Sequence, residues 1–272
     1  MSWLRYMTLW SFRKLNPSWK MELFVAGTKE VENYWEGHNK LDFCEYKGED
    51  YFSRLAELDI EIKDCPVHRE GAGPPHLCDM CEWSELHHEG GVYCDMDVLW
   101  IKPISNLYEQ IKEHDVAISF DPWGSTEGGG YFSIGLVASS KGNRFFSDVF
   151  KSSMKTFTRS NYQSAGVISI YSLASKNWVS EMNKLSLLKK LVTKYNELSF
   201  FNIPMDILHL KYLDHGECFE SDYPLVESCI GLHWYGGNPV AQEWNNILTE
   251  ATVTDYDNLV SRYALHLTRS FV

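Results

Sequence analysis

The feature that most restricts this chain is an apolar stretch split by two carboxylates: Val92-Tyr93-Cys94, then Asp95-Met96-Asp97, then Val98-Leu99-Trp100-Ile101. In an extended segment side chains alternate, so Asp95 and Asp97 would share a face while Met96 points away. At about 3.3 Å per residue the two carboxylates would stand roughly 6–7 Å apart. Apolar strand on either side makes such charges costly if they are buried and unpaired, and a bound cation relieves that cost. Carboxylate oxygens select hard divalent ions such as Mg²⁺ or Mn²⁺. The plainer alternative is a pair of aspartates that merely solvate the end of a strand.

A chain of 272 residues suffices for one large α/β domain or two small ones. No internal repeat, low-complexity tract or linker divides it, so a single domain over residues 1–272 is expected. The net charge of −12, from 25 basic and 37 acidic residues, argues against a nucleic-acid or anionic-membrane partner, since both reward a basic face. A phosphorylated ligand would then need a cation as mediator. The ten tryptophans suit either core packing or stacking on planar or sugar-like ligands. Cysteines stand at 44, 65, 78, 81, 94, 218 and 229, an odd number at irregular spacing, which points to reduced thiols rather than a secreted disulfide framework. The first residues lack the unbroken apolar core of a signal peptide, and no stretch reaches the length of a membrane span. A soluble, cytoplasmic protein is the expectation.

Along the chain, the spacing of apolar residues predicts a helix over 3–15, stopped by Asn16-Pro17, and a strand over Met21–Ala26. A strand or turn near 41–46 and a helix near 50–58 come next. Gly71-Ala72-Gly73-Pro74-Pro75 reads as a surface loop. A helix over 78–91 would be capped by Asp79, with Glu82 completing a capping-box pair and Gly90-Gly91 ending it. Strands are expected at 92–101, 116–120 and 131–139, with helices at 143–158 and 180–195. Between these lie a glycine-rich loop over 121–130, either a mobile lid or a plain turn, and an apolar segment at 167–173.

The run from Cys78-Asp79-Met80-Cys81-Glu82 through Gly90-Gly91-Val92-Tyr93-Cys94-Asp95-Met96-Asp97-Val98 resembles the signature block of the DXD-motif sugar transferases. These are the relatives of yeast initiating α-1,6-mannosyltransferase, the α-1,4-galactosyltransferases and the capsular polysaccharide transferases. Outside the block, Leu15-Asn16-Pro17-Ser18-Trp19 resembles the family's early turn. Ile134–Ser140 with Lys141-Gly142-Asn143 resembles its strand and turn after the motif, and His233-Trp234-Tyr235-Gly236-Gly237 its C-terminal His-aromatic segment. The resemblance implies an α/β, GT-A-like fold with a mixed central sheet flanked by helices. It also implies retaining transfer from a UDP- or GDP-linked sugar to a glycan or other hydroxyl acceptor. Asp97 and Asp95 would hold Mn²⁺ or Mg²⁺, and His233 would join them or the diphosphate. Asp79, Asp95, Gly91 and Tyr93 would form the donor site. Two departures stand out. Glu82 occupies the place of a family arginine, and the family's first strand is absent ahead of the first helix.

Two rival readings accompany this one. Cys65, His68, His76, Cys78, Cys81, His87 and His88 crowd into residues 65–88, and Cys-x-x-Cys is a zinc-ligand spacing, so a metal-stapled binding module is one alternative. The departures at Glu82 and the missing strand also fit a degenerate transferase that binds a sugar nucleotide or glycan without turnover.

Overall fold

The computed structural model describes residues 1–25, 46–121, 131–176, 185–208, 216–220, 225 and 227–271. The expected 41–46 element and nearly all of the 121–130 loop lie outside these residues. Helix α1 (Trp3–Leu15) begins at Ser2, whose hydroxyl accepts from the Arg5 amide, and ends at Asn16. Strand β1 (Glu22–Val25) pairs in parallel with β2 (Glu61–Asp64). The 50–58 helix is a 3₁₀ segment, Phe52–Glu57.

Helix α2 spans Pro74–His88, so the Gly-Pro-rich stretch is its start rather than a surface loop. Gly73 is the N-cap, and Pro74 and Pro75 occupy the first turn, where a missing N–H breaks no helical bond. Asp79 and Glu82 therefore lie inside the helix, not at its head, and the expected capping pair does not form. The exit is as expected: Glu89 is the C-cap, and Gly90 and Gly91 take positive φ of 70° and 102° to turn the chain.

The stretch expected as one strand over 92–101 is two. Strand β3 (Gly91–Cys94) and strand β4 (Val98–Trp100) are separated by a turn at Asp95–Asp97, and they belong to different sheets. After α3 (Ser105–Ile111) come β5 (Val116–Asp121), β6 (Tyr131–Ser139) and α4 (Arg144–Thr156), the last capped by the Asn143 side chain. The apolar 167–173 segment is helix α5 (Val167–Ala174), and the lysine-rich helix is α6 (Leu185–Lys194). Strands β7 (Phe200–Asn202) and β8 (Gly231–His233) and helices α7 (Pro239–Ile247) and α8 (Leu259–Ser270) complete the described elements.

The central sheet has the order β3-β6-β5-β7. β6 runs antiparallel to β3 and β5, while β7 is parallel to β5, so the sheet is mixed as expected. Helices α2, α4, α5 and α6 bury apolar faces together with β5 and β6, around Trp83, Phe132, Phe145, Phe146 and Tyr195. A second core gathers α1 and α8 with Leu99, Leu232 and Trp234, and a third gathers α3 with Val98, Trp100, Leu136 and Ile203. No helix among the described residues is long and apolar enough to cross a membrane.

Asp115 fastens the mouth of the β5–β7 pair. Its Oδ2 accepts from the Ser199 amide at 2.9 Å and from the Ser199 hydroxyl at 3.0 Å, and its Oδ1 from the Ser140 hydroxyl at 3.0 Å. The Ser199 amide above all holds this carboxyl below its ordinary value of 3.8. A depressed folded pKa means that the contribution is complete above the unfolded value and disappears as pH falls through the folded one. Asp115→Asn should therefore lower unfolding stability by about 2 kcal/mol at pH 7. In denaturant titrations that difference should shrink as pH drops below about 4.

Candidate active site

The two-strand break assembles the site. The β4–β8 pair sets Val98 opposite His233, which carries the imidazole to the residue before β4, Asp97. Nε2 of His233 stands 2.9 Å from Asp97 Oδ1. Asp97 Oδ2 accepts from the Gly236 amide at 2.7 Å, and its carbonyl accepts from the Trp234 amide at 2.9 Å. Tyr235, at φ 51°, adopts the left-handed region between these two donors. This costs about 1 kcal/mol and is the kind of backbone strain found at functional sites.

Asp95 is anchored from the other side. Its amide donates to the Gly135 carbonyl at 3.0 Å, and the Tyr93 hydroxyl donates to its Oδ1 at 2.8 Å. Opposite Asp95, strand β6 loses register with β5, where Ile118 pairs with Val137 but Ser119 with Ser133. Such bulges re-aim backbone groups near sites. Gly135 lies in the bulge, and a Cβ there would come within 3.0 Å of Asp95 Oδ2 and 2.9 Å of His233 Cε1. Helix α1 supports the turn, with the Thr8 hydroxyl donating to the Met96 carbonyl at 3.2 Å and the Ser11 hydroxyl accepting from the Trp100 amide at 3.1 Å. Neither contact has a signal in the sequence, since both use polar residues on a buried helix face.

Ligand atoms of Asp95, Asp97 and His233 lie within 4.8 Å of one another, and they form the single such group of three or more acidic, His or Cys side chains among the described residues. Two carboxylate oxygens and one imidazole nitrogen are a donor set that could hold a divalent cation. The buried Nδ1 of His233 has no hydrogen-bond partner, so nothing fixes the proton on either ring nitrogen except Asp97. The charges fit an incomplete cation site. Burial, then the neighbouring Asp97 charge, push Asp95 up to about 6. Burial opposes the charge on both His233 and Asp97, but their mutual attraction prevails, raising the imidazole and lowering the carboxyl.

Beside this trio stands a second acidic pair on α2. Asp79 abuts Gly166, where a Cβ would meet its Oδ2 at 2.8 Å. Burial, and next the charge of Asp95, raise Asp79 well above its ordinary value. Glu82, a turn further on, is 2 % exposed, and neither carboxyl oxygen has a hydrogen-bond partner. Burial, then the charges of Asp95 and Asp79, raise it well above the ordinary value of 4.5 and so favour its protonated form. Cys78 is exposed, its thiol 3.4 Å from the Tyr93 hydroxyl. Burial first, then Asp95, push that thiol up to about 12.

A native acid held neutral binds its proton where the unfolded chain has released it, so above pH 4.5 stability falls as pH rises. Glu82→Gln removes this slope. Its melting temperature should exceed that of the wild type, by a margin that widens as pH rises above about 5, because a folded–unfolded difference of one bound proton is worth up to about 1.4 kcal/mol per pH unit. A constant margin across that range would show that Glu82 is ionised in the native state.

Of the residues expected at the site, Asp95, Asp97, His233, Tyr93 and Asp79 are brought together. Gly91 is not: it pairs with Ser139 at the far end of β3 and serves the turn out of α2. The 65–88 Cys/His cluster disperses. His76 Nε2 contacts the Asn161 carbonyl, His87 Nδ1 the Asn143 carbonyl, and His88 Nδ1 the Ser84 carbonyl. Cys65 and Cys81 contact each other, while Cys78 faces Tyr93. Helical spacing turns these side chains toward different neighbours, so no zinc cage forms among the described residues.

No family model matches the chain, and no curated protein matches it. Among solved structures, "PaToxG Glycosyltransferase" is a structural neighbour at 12 % identity and a TM-score of 0.38, with 71 % of this chain covered. The chain spans 64 % of that structure's length.

Proposed function

We propose that this chain, as a single GT-A-like domain, is a metal-dependent, retaining glycosyltransferase that takes a sugar from a UDP- or GDP-linked donor to a glycan or other hydroxyl acceptor. The observation that carries this reading is the convergence of Asp95, Asp97 and His233 from the β3–β4 turn and β8, next to Asp79 and Tyr93. Asp97, Asp95 and His233 would hold Mn²⁺ or Mg²⁺, which when bound supplies charge neutralisation to the diphosphate leaving group.

The chain's own groups do the rest. The Gly236 amide fixes the orientation of Asp97, and the Tyr93 hydroxyl fixes that of Asp95. Asp79, packed beside Gly166, would take hydrogen bonds from sugar hydroxyls. Its neighbour Glu82, whose burial favours the protonated form, stands at the position where the DXD-motif transferases place an arginine. No residue is assigned as nucleophile.

Thermal unfolding across a panel of UDP- and GDP-sugars, with and without Mn²⁺, tests this reading, because a ligand specific to the native state raises the melting temperature. A shift that requires both nucleotide and metal is expected. Its absence for every donor would refute donor binding, and a shift without turnover on any acceptor would indicate a sugar-nucleotide binding protein.

A further inference from the structure

Residues 157–166, which join α4 to α5, form a tightly tied loop with one large exposed ring. Its interior is closed by Asn161 and Ser164 amides donating to the Thr158 and Asn161 carbonyls, at 3.2 and 3.0 Å, and by the Ser164 hydroxyl bonded to both the amide and the carbonyl of Thr158, at 3.1 and 3.0 Å. It is fastened to α2 at two points. The indole N–H of Trp83 donates to the Ala165 carbonyl at 2.9 Å, and His76 Nε2 contacts the Asn161 carbonyl at 3.1 Å. Gly166 then closes against Asp79. Despite this anchoring, Tyr162 is 43 % exposed.

The position of that ring is informative. Surrounding protein, followed by the charges of Asp79, Asp95 and Asp97 and by Tyr131, raises the Tyr162 hydroxyl well above its ordinary value. The geometry agrees: Asn161, next to Tyr162, rests on His76 of α2, and Gly166, at the loop's other end, rests on Asp79 one turn along the same helix, so the exposed ring belongs to the loop that borders Asp79. Below Asp79 lies Glu82, fully buried with both carboxyl oxygens unpartnered, and its field reaches Cys78, Tyr93 and Cys94 as well. The loop thus holds an exposed aromatic ring on rigid backbone beside the carboxyl of Asp79.

A pyranose has complementary chemistry: a face of C–H groups that packs on an aromatic ring, and hydroxyls at its edge that donate to carboxylates. We propose that Tyr162 is a sugar-binding residue whose ring stacks on the pyranose of the nucleotide-sugar donor while Asp79 accepts from its hydroxyls. This rests on the proposed donor chemistry. Because the loop is tied down before the ligand arrives, little ordering cost falls on the contact.

Calorimetric titration in Mn²⁺ tests this with UDP, UDP-glucose, GDP and GDP-mannose against the wild type, Tyr162→Phe and Tyr162→Ala. For the preferred nucleotide, Tyr162→Ala should bind the sugar form about tenfold more weakly and the bare diphosphate within about twofold of wild type, while Tyr162→Phe matches the wild type for both. Unchanged binding of the sugar form by Tyr162→Ala overturns the proposal, as does equal weakening of sugar form and diphosphate, or a loss confined to acceptor use. A wild type that binds none of the four probes overturns the donor reading, and this inference with it.

Discussion

Asp97→Ala should reduce metal-stimulated donor hydrolysis by roughly 10²–10³-fold, the scale expected when a charge-stabilising group is removed from a site. The size reflects how much converges on this one carboxylate. Asp97 faces His233 with one oxygen and the Gly236 amide with the other, so its loss removes a ligand atom and unfastens two neighbours. Removing one member of a buried charged pair also costs stability, by about 3–5 kcal/mol in unfavourable cases. Asp97→Asn separates the two effects. The amide oxygen can still accept from Gly236, so the fold is largely retained, but the charge is gone. Both variants should lose metal stimulation, and the asparagine variant should melt closer to wild type. Metal-stimulated hydrolysis at the wild-type rate in Asp97→Asn would count against the assignment.

The largest purely structural effect is expected at Trp83. Its ring is fully buried, stacks on Phe146 at 5.9 Å between centroids and donates to Ala165. Trp83→Ala should cost about 4 kcal/mol from the cavity alone, with a further contribution of about 1 kcal/mol from the lost indole hydrogen bond, the Ala165 carbonyl keeping only the Ser169 hydroxyl at 2.9 Å. For a chain of this size that corresponds to a fall in melting temperature of roughly 10 °C by calorimetry. Trp83→Phe keeps most of the packing and loses the N–H, so a fall of about a third of that is expected. Since Ala165 precedes the glycine that abuts Asp79, both variants should also weaken donor binding. An alanine variant melting within about 3 °C of wild type would show that the loop is held by other means.

The acidic interruption of an apolar stretch made Asp95 and Asp97 visible in the sequence, because charge in such a place requires a reason. Helix α1, strands β1, β5 and β6 and helix α4 were legible from periodicity, and the end of α1 from its stop signal Asn16-Pro17. The break between β3 and β4 was not. Local pattern favours one continuous strand, and only pairing with two distant partners, β6 and β8, forces the turn. The start of α2 was misplaced for a local reason: proline marks a loop in most contexts but is favoured in the first helical turn. The placement of His233 depends on a register set far along the chain, so resemblance could suggest it but spacing could not. Tyr162 carried no signal at all, being one tyrosine among fifteen until the loop around it is seen.

Binding of a divalent cation by Asp95, Asp97 and His233 underlies the proposed function. The most direct measurement is a Mn²⁺ titration followed by the paramagnetic resonance of the free ion, with the wild type and Asp97→Asn in parallel. One bound Mn²⁺ per chain in the wild type, tighter with UDP or GDP present and lost in the variant, is the expected result. Equal Mn²⁺ uptake by both proteins, or none by the wild type even with nucleotide, would contradict the claim.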